Sequence, residues 1–219
     1  MVTKGNCYIC GQELGKTAMK NHILKLHSAA VPGQECVLLK IEGAYDKDYW
    51  LFVDIPLTST LTTLDRFLRD IWLECCGHLS AFSGKGHQEI GKSRKFSTFE
   101  PGEQFLHEYD FGSTTETLIT VIGRTTRIPQ KTAVRLLARN VPFQFTCVKC
   151  GAPAMDICTE CIYEMDNPFY CAACAEKHEH EEMLLPITNS PRMGVCGYCG
   201  DADVYTFDVK KIAYKGKRA

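Results

Sequence analysis

The chain has 219 residues, 45% of them hydrophobic and 23% charged, and a formal net charge of −1. That length holds one ordinary core plus small satellites and excludes two large enzyme domains. The balanced charge excludes a uniformly basic nucleic-acid binder, and no apolar run approaches the roughly 20 residues a membrane helix needs.

The N-terminus, MVTKGNCYICG, lacks the apolar stretch of a signal peptide, so a cytoplasmic protein with no membrane partner is expected. Thirteen cysteines dominate the composition. Most fall into Cys-x2-Cys pairs: Cys7/Cys10, Cys147/Cys150, Cys158/Cys161, Cys171/Cys174 and Cys196/Cys199. In a reducing compartment such pairs read as thiolate metal ligands rather than disulfides. A two-residue spacer lets both sulfurs of a tight turn face one ion. Zinc takes four ligands in a tetrahedron, so each pair needs a further pair. Cys36, Cys75 and Cys76 stand outside the pairs and read as small buried hydrophobes.

Residues 7–27, CYICGQELGKTAMKNHILKLH, have the spacing Cys-x2-Cys-x11-His-x4-His. This resembles the two-Cys, two-His zinc finger, with Cys7, Cys10, His22 and His27 as ligands. Leu14 and Met19 fall where that finger keeps its small core. A helix is expected over 16–27, with both histidines on adjacent turns. Residues 28–35 read as a linker through Pro32-Gly33.

CVLLKIE, with Val37, Leu39 and Ile41 alternating, a turn around Gly43-Ala44-Tyr45-Asp46, and YWLFVDIP together predict a β-hairpin ended by Pro56. Residues 59–76 carry Leu61, Leu64, Phe67, Leu68, Ile71, Trp72 and Cys75 at helical spacing, an apolar stripe for the core. Ser59 or Thr60 can cap that helix and Gly77 can end it. Residues 84–104 form a polar loop. Its GKGHQEIGKS lacks the glycine spacing of a phosphate loop and has no buried strand before it. FLHEY predicts a strand, Asp110-Phe111-Gly112-Ser113 a turn and TETLITVI a second strand. The letters Asp-Phe-Gly have none of the accompanying kinase motifs.

The hairpin, the helix LTTLDRFLRDIWLECCGHLSAF and EYDFGS followed by a strand together resemble the Ri-plasmid ORF-3-like family. Its members are also described as insertion-element passenger TnpR-like proteins. The likeness covers about residues 36–127 and includes the step Tyr109-Asp110-Phe111-Gly112. VRLLARN, the cysteine pairs and LLPITNSPRMGVCGY resemble that family's zinc-bearing branch. Family members often continue with an acid and an aromatic where this chain has Ser113, Thr114 and Thr115. The resemblance implies a fold more than a function, and no serine-recombinase nucleophile region accompanies it.

Residues 128–140, IPQKTAVRLLARN, suit helix or strand. In either, the spacing of four keeps Lys131, Arg135 and Arg139 on one face. They are candidate phosphate contacts, weighed against a merely solvated face.

Residues 147–180 carry three Cys-x2-Cys pairs followed by His178 and His180. Their order resembles a B-box or related cross-braced zinc module. That resemblance implies one zinc on Cys147, Cys150, Cys171 and Cys174 and another on Cys158, Cys161, His178 and His180. Cys196 and Cys199 are an alternative source of ligands in place of one or both histidines. Tyr163, Phe169 and Tyr170 are too few for a self-sufficient core, so metal must supply much of this module's folding free energy. The last segments are a strand at VYTFDVKK and a basic tail.

These readings combine into an α+β fold, a small antiparallel sheet packed on one main helix, flanked by an N-terminal zinc finger and a C-terminal cross-braced zinc module. The expected divisions are 1–30, 36–142, 147–203 and 204–219. Three zinc ions, each with four protein ligands and no open position, describe structural rather than catalytic metal. The expected function is a non-catalytic zinc-binding adaptor with a protein partner. A nucleic-acid-binding regulator linked to mobile elements is the alternative. Residues 147–203, with three basic and ten acidic groups, would repel phosphate. An enzyme using His78, His107, Glu108 and Asp110 is the third reading.

Overall fold

The computed structural model describes residues 3–28, 33–200 and 205–208. The described residues of Met1–Phe67, Leu79–Val141 and Thr206–Ala219 make one compact unit, and those of Leu68–His78 and Pro142–Tyr205 a second. The fold is α+β, with antiparallel strands throughout and few helices. No described helix is long and apolar enough to cross a membrane.

The first unit begins with β1 (Lys4–Cys7), β2 (Glu13–Gly15) and α1 (Lys16–Leu26), the ββα order of a zinc finger. β3 (Gln34–Gly43) and β4 (Trp50–Pro56) form the expected hairpin, in register from Cys36↔Pro56 to Glu42↔Trp50. After α2 (Leu61–Leu68) come β5 (Ser80–Ser83), β6 (Glu89–Ile90), β7 (Gln104–Tyr109), β8 (Thr115–Arg127) and β9 (Arg135–Asn140). These strands make one sheet in the order β2-β1-β9-β4-β3-β8-β7-β5-β6. The short β5 goes beyond the sequence expectation, because SAFS carries too little alternation to mark a strand.

The finger is built into this sheet. β1 pairs with β9 through Gly5↔Asn140, Asn6↔Arg139 and Cys7↔Ala138. Met19 and Ile23 of α1 pack with Leu38, Trp50, Phe52, Leu137 and Ala138, and Leu14 lies against the same cluster. The finger's own core is thus continuous with that of the sheet. Gly5 is required at this junction. A Cβ there would lie 2.3 Å from the Arg139 carbonyl oxygen and 2.4 Å from Cη2 of Trp50. Gly5→Ala is expected to push β1 off β9 at a cost of about 1–3 kcal/mol, read as a lower urea midpoint. An unchanged midpoint would mean that β1 does not pair there.

The stripe on the 59–76 segment is buried at Leu61, Leu64, Phe67, Leu68, Ile71 and Trp72. Regular helix stops at Leu68. Residues Arg69–Leu73 widen into a turn closed by the Glu74 N–H on the Arg69 carbonyl, 2.9 Å. Within the first unit, Asp65 of α2 accepts from Nε2 of His107 on β7 (2.8 Å) and from the Ser80 hydroxyl (2.6 Å), and pairs with Lys92 at 3.2 Å. Burial opposes ionisation of Asp65, but the bonds from His107 and Ser80 outweigh it and hold the carboxyl well below its ordinary range.

The second unit carries β10 (Asp156–Cys158), β11 (Phe169–Tyr170), α3 (Ala172–Ala175) and β12 (Leu184–Pro186). The three strands pair in the order β11-β10-β12. Of the strand expected over 204–211, only 205–208 are described and they are not extended into a strand. The remainder, the basic tail and residues 29–32 of the linker lie outside the described residues.

Candidate metal centres

Among the described residues, four groups of Cys and His each bring four ligand atoms within 4.8 Å of one another. For a tetrahedral zinc with Zn–S near 2.3 Å and Zn–N near 2.0–2.1 Å, the ligand edges come to ~3.8 Å for S–S and ~3.5 Å for S–N. The groups can be compared with those lengths.

The first group is Cys7, Cys10, His22 and His27. The chain turns after β1 because Gly11, at φ 79°, donates its N–H to the Cys7 carbonyl at 2.8 Å. Only glycine takes that conformation without steric penalty. His22 projects from α1, and His27 caps its C-terminus with its N–H on the Ile23 carbonyl. Cys10 Sγ lies 3.2 Å from His22 Nε2, which lies 3.0 Å from His27 Nε2. Burial pushes both imidazoles below the ordinary histidine value, which favours the neutral form that ligates metal. Burial also pushes the Cys7 thiol up to about 11. A bound cation would have to offset that to hold the thiolate.

The second group is Cys147, Cys150, Cys171 and Cys174, and the third is Cys158, Cys161, His178 and His180. In the second, Gly151 at φ 73° closes the same turn, with its N–H on the Cys147 carbonyl at 2.9 Å. Cys150 Sγ lies 3.6 Å from that of Cys171 and 3.7 Å from that of Cys174. Burial works against the Cys147 thiolate, but the backbone amides of Cys171, Cys150 and Lys149 outweigh it and bring the thiol down to about 6. In the third group, Cys161 Sγ lies 3.4 Å from His178 Nε2 and 3.7 Å from His180 Nδ1, which is 3.9 Å from Cys158. Tyr170, next to Cys171, stacks on His178 at 4.2 Å and sets its hydroxyl 3.6 Å from Cys161 Sγ. Pair one thus meets pair three, and pair two meets the histidines.

The fourth group, Cys75, Cys76, His78 and Cys196, was not read from the sequence. Cys196 is with these residues rather than with Cys158 and Cys161, where the sequence allows it as a substitute ligand. The histidines already complete that third group. Cys199 is exposed, and its sulfur lies 3.3 Å from the Gly197 carbonyl oxygen. Cys75 and Cys76 are not buried hydrophobes: Cys75 is half-buried and Cys76 exposed, because the helical stripe ends before them. Cys36 is buried in β3. The local signal overlooked was Cys-Cys-Gly-His beside a Cys-x2-Cys pair without a complement.

No family model and no curated protein matches the chain. Among solved structures, the crystal structure of a protein of unknown function, MM3350 from Methanosarcina mazei Go1, is similar. The likeness covers 55% of this chain and 76% of that one, at 13% identity and a TM-score of 0.40.

The remaining candidate residues are dispersed. Lys131, Arg135 and Arg139 do not share an exposed face. Against β4, β9 carries one extra residue at Leu137, so Arg135 stands opposite Asp54 and Arg139 opposite Leu51. Asp54 and Leu51 are three apart on β4 and therefore face opposite sides. Arg135 is bound to Asp54, Arg139 is 5% exposed, and Lys131 lies in the bend before β9. His78 belongs to the fourth group in the second unit. In the first unit, His107 is buried against Asp65, Glu108 accepts from Ser83 at 3.0 Å, and Asp110 turns the β7–β8 connection by accepting the amides of Gly112 and Ser113. An open depression of about 1000 Å³ gathers Lys85, His87 and Arg94. Arg94 there is held by Thr98 and stacked over Phe99.

Proposed function

We propose that this protein is a non-catalytic, zinc-stabilised interaction protein of the cytoplasm. The observation that carries this reading is the closure of the first three groups, each with four Cys or His ligand atoms converging on one point. A catalytic zinc keeps a position for water or substrate, whereas four protein ligands make a structural site. Zinc is the metal that best suits mixed thiolate and imidazole tetrads. The cytoplasmic part of the proposal rests on the Cys-x2-Cys pairs, which as thiolate ligands suit a reducing compartment. Membership of the Ri-plasmid ORF-3-like family is part of the proposal and rests on the sequence resemblance. Its Tyr109–Gly112 step occupies the turn that joins β7 to β8.

The ion pair between Arg135 and Asp54 and the burial of Arg139 favour a protein partner over nucleic acid, since neither arginine is left to meet phosphate. The test is native mass spectrometry and elemental analysis of protein purified without chelator. At least three zinc ions per chain are expected. Cobalt replacement should give tetrahedral ligand-field bands that added azide leaves unchanged. Fewer than three ions, or bands that shift with azide, would overturn the closed-site reading.

A further inference from the structure

We infer that Cys75, Cys76, His78 and Cys196 hold a fourth zinc ion. The inference rests on the zinc reading of the other three groups and adds one ion to it. The geometry is that of its neighbours. Cys76 Sγ lies 3.6 Å from Cys75 Sγ and 3.8 Å from Cys196 Sγ. His78 Nε2 lies 3.3 Å from Cys196 Sγ and 2.9 Å from Cys76 Sγ. The sulfur–sulfur edges match the ~3.8 Å of a zinc tetrahedron, and only the Cys76–His78 edge is clearly short of ~3.5 Å.

Packing does not account for this convergence. Cys76 and Cys196 are exposed, so burial of apolar surface does not draw them together. The backbone is instead bent to bring them in. Gly77, at φ 79°, turns the chain back so that His78 rejoins Cys76. Cys196 itself sits at φ 50°, in the left-handed region that is unfavourable to a residue with a Cβ. Strain of that kind persists where surrounding structure over-determines it, and a metal ligand is such a constraint.

Charge points the same way. Three thiolates and one imidazole around Zn²⁺ leave one negative charge. Arg192, fully buried, places Nη2 3.4 Å from Cys75 Sγ. Its backbone N–H donates to the Ser190 hydroxyl at 2.9 Å, which in turn donates to the Trp72 carbonyl at 2.6 Å. A guanidinium thus faces the ligand sulfur, the arrangement by which outer groups orient and balance a metal site. All of these residues belong to the second unit. The ion would clasp residues 75–78 to a cysteine some 118 positions further on, closing a loop whose entropy is otherwise costly.

The test is zinc counting on the full chain by native mass spectrometry. Four ions are expected in the unaltered protein, and three in Cys76→Ser and in His78→Ala. His78→Cys should restore the fourth. Cobalt-loaded protein should show thiolate charge-transfer intensity from eleven ligating sulfurs in place of eight, a readout that needs no variant. Three ions in the unaltered protein, unchanged in both variants, would overturn the fourth site while leaving the other three standing. Fewer than three would instead count against the closed-site reading itself. A Cys76–Cys196 disulfide in freshly purified protein would also overturn it. So would a Cys199→Ser protein that loses the ion while Cys75→Ser keeps it, since the ligand set would then be different.

Discussion

Replacing Cys171 with Ser is expected to remove more than one zinc ion and to disorder residues 147–180 while the nine-stranded sheet persists. Cys171 belongs to the second tetrad, but the residues just before it serve the third. Tyr170 and Phe169 form β11, which pairs with β10 through Asp156↔Tyr170 and Ile157↔Phe169. β10 ends in Cys158, a ligand of the third tetrad. Tyr170 also meets Cys161 and stacks on His178. Losing the anchor at Cys171 therefore releases both ligand pairs of the neighbouring site. The apolar alternative is too small to hold them: the buried cluster here is Cys158, Cys161, Tyr170 and Ala175, half of it ligands. Structural zinc contributes on the order of 10–16 kcal/mol to folding such modules, so the loss should be close to complete. Amide exchange would show deprotection of residues 156–158 and 169–170 together. A Cys171→Ser protein lacking one ion, with the Cys158/Cys161 site still protected, would contradict the interlock. Chelation with EDTA should reproduce the same pattern of loss in the unaltered chain.

Asp54→Ala is expected to be the most damaging single change in the first unit. Asp54 is wholly buried on β4. Its Oδ1 accepts from Arg127 Nη1 at 2.6 Å, and its Oδ2 from Arg135 Nε at 2.9 Å and from Arg135 Nη2. Arg127 is itself buried and donates its other nitrogen to the carbonyls of Thr132 and Ala133, at 3.0 and 2.9 Å. Removing the carboxylate leaves that guanidinium charged, buried and opposed only by dipoles. Breaking such a pair from one side costs about 3–5 kcal/mol, a fall in Tm of roughly 10 °C for a unit of this size. Arg135 is partly exposed, so Arg135→Ala should cost less, about 1 kcal/mol. The double change Asp54→Leu with Arg127→Met should recover most of the loss, because both charges go. Trp50 fluorescence in a Trp72→Phe background would follow the first unit through urea unfolding. A midpoint for Asp54→Ala within error of the parent would mean that Arg127 finds solvent.

The two expectations differ in kind. In the first unit the core is made of side chains, and the charged pair is an element set within it. In the cysteine-rich module of the second unit, ligands make up half of the buried cluster, so a single sulfur decides whether residues 147–180 stay folded. The same contrast explains why Gly5 matters through packing and Asp54 through a buried ion pair, while Cys171 matters through coordination.

Three of the four metal groups were legible in the chain because their ligands are local. Cys-x2-Cys followed by a turn, with Gly11 or Gly151 next, is a short-range pattern, and His22 and His27 follow from helical spacing. The β3–β4 hairpin, the buried stripe of α2 and the β7–β8 turn at Asp110 were equally local. The absorption of the finger into the sheet was not, since β1 meets β9 across more than a hundred residues and nothing in KGNC specifies a partner strand. Nor was the fate of Arg135 and Arg139. Their spacing of four predicts one face, and a single extra residue at Leu137 turns them to opposite sides. The fourth group needed tertiary structure most of all. Cys75, Cys76 and His78 follow an apolar helix, and their complement Cys196 lies far along the chain, so only the path of the backbone brings them to one point. Ligands close in sequence declare themselves by spacing, whereas ligands joined by long loops exist as a site only after the chain has closed those loops.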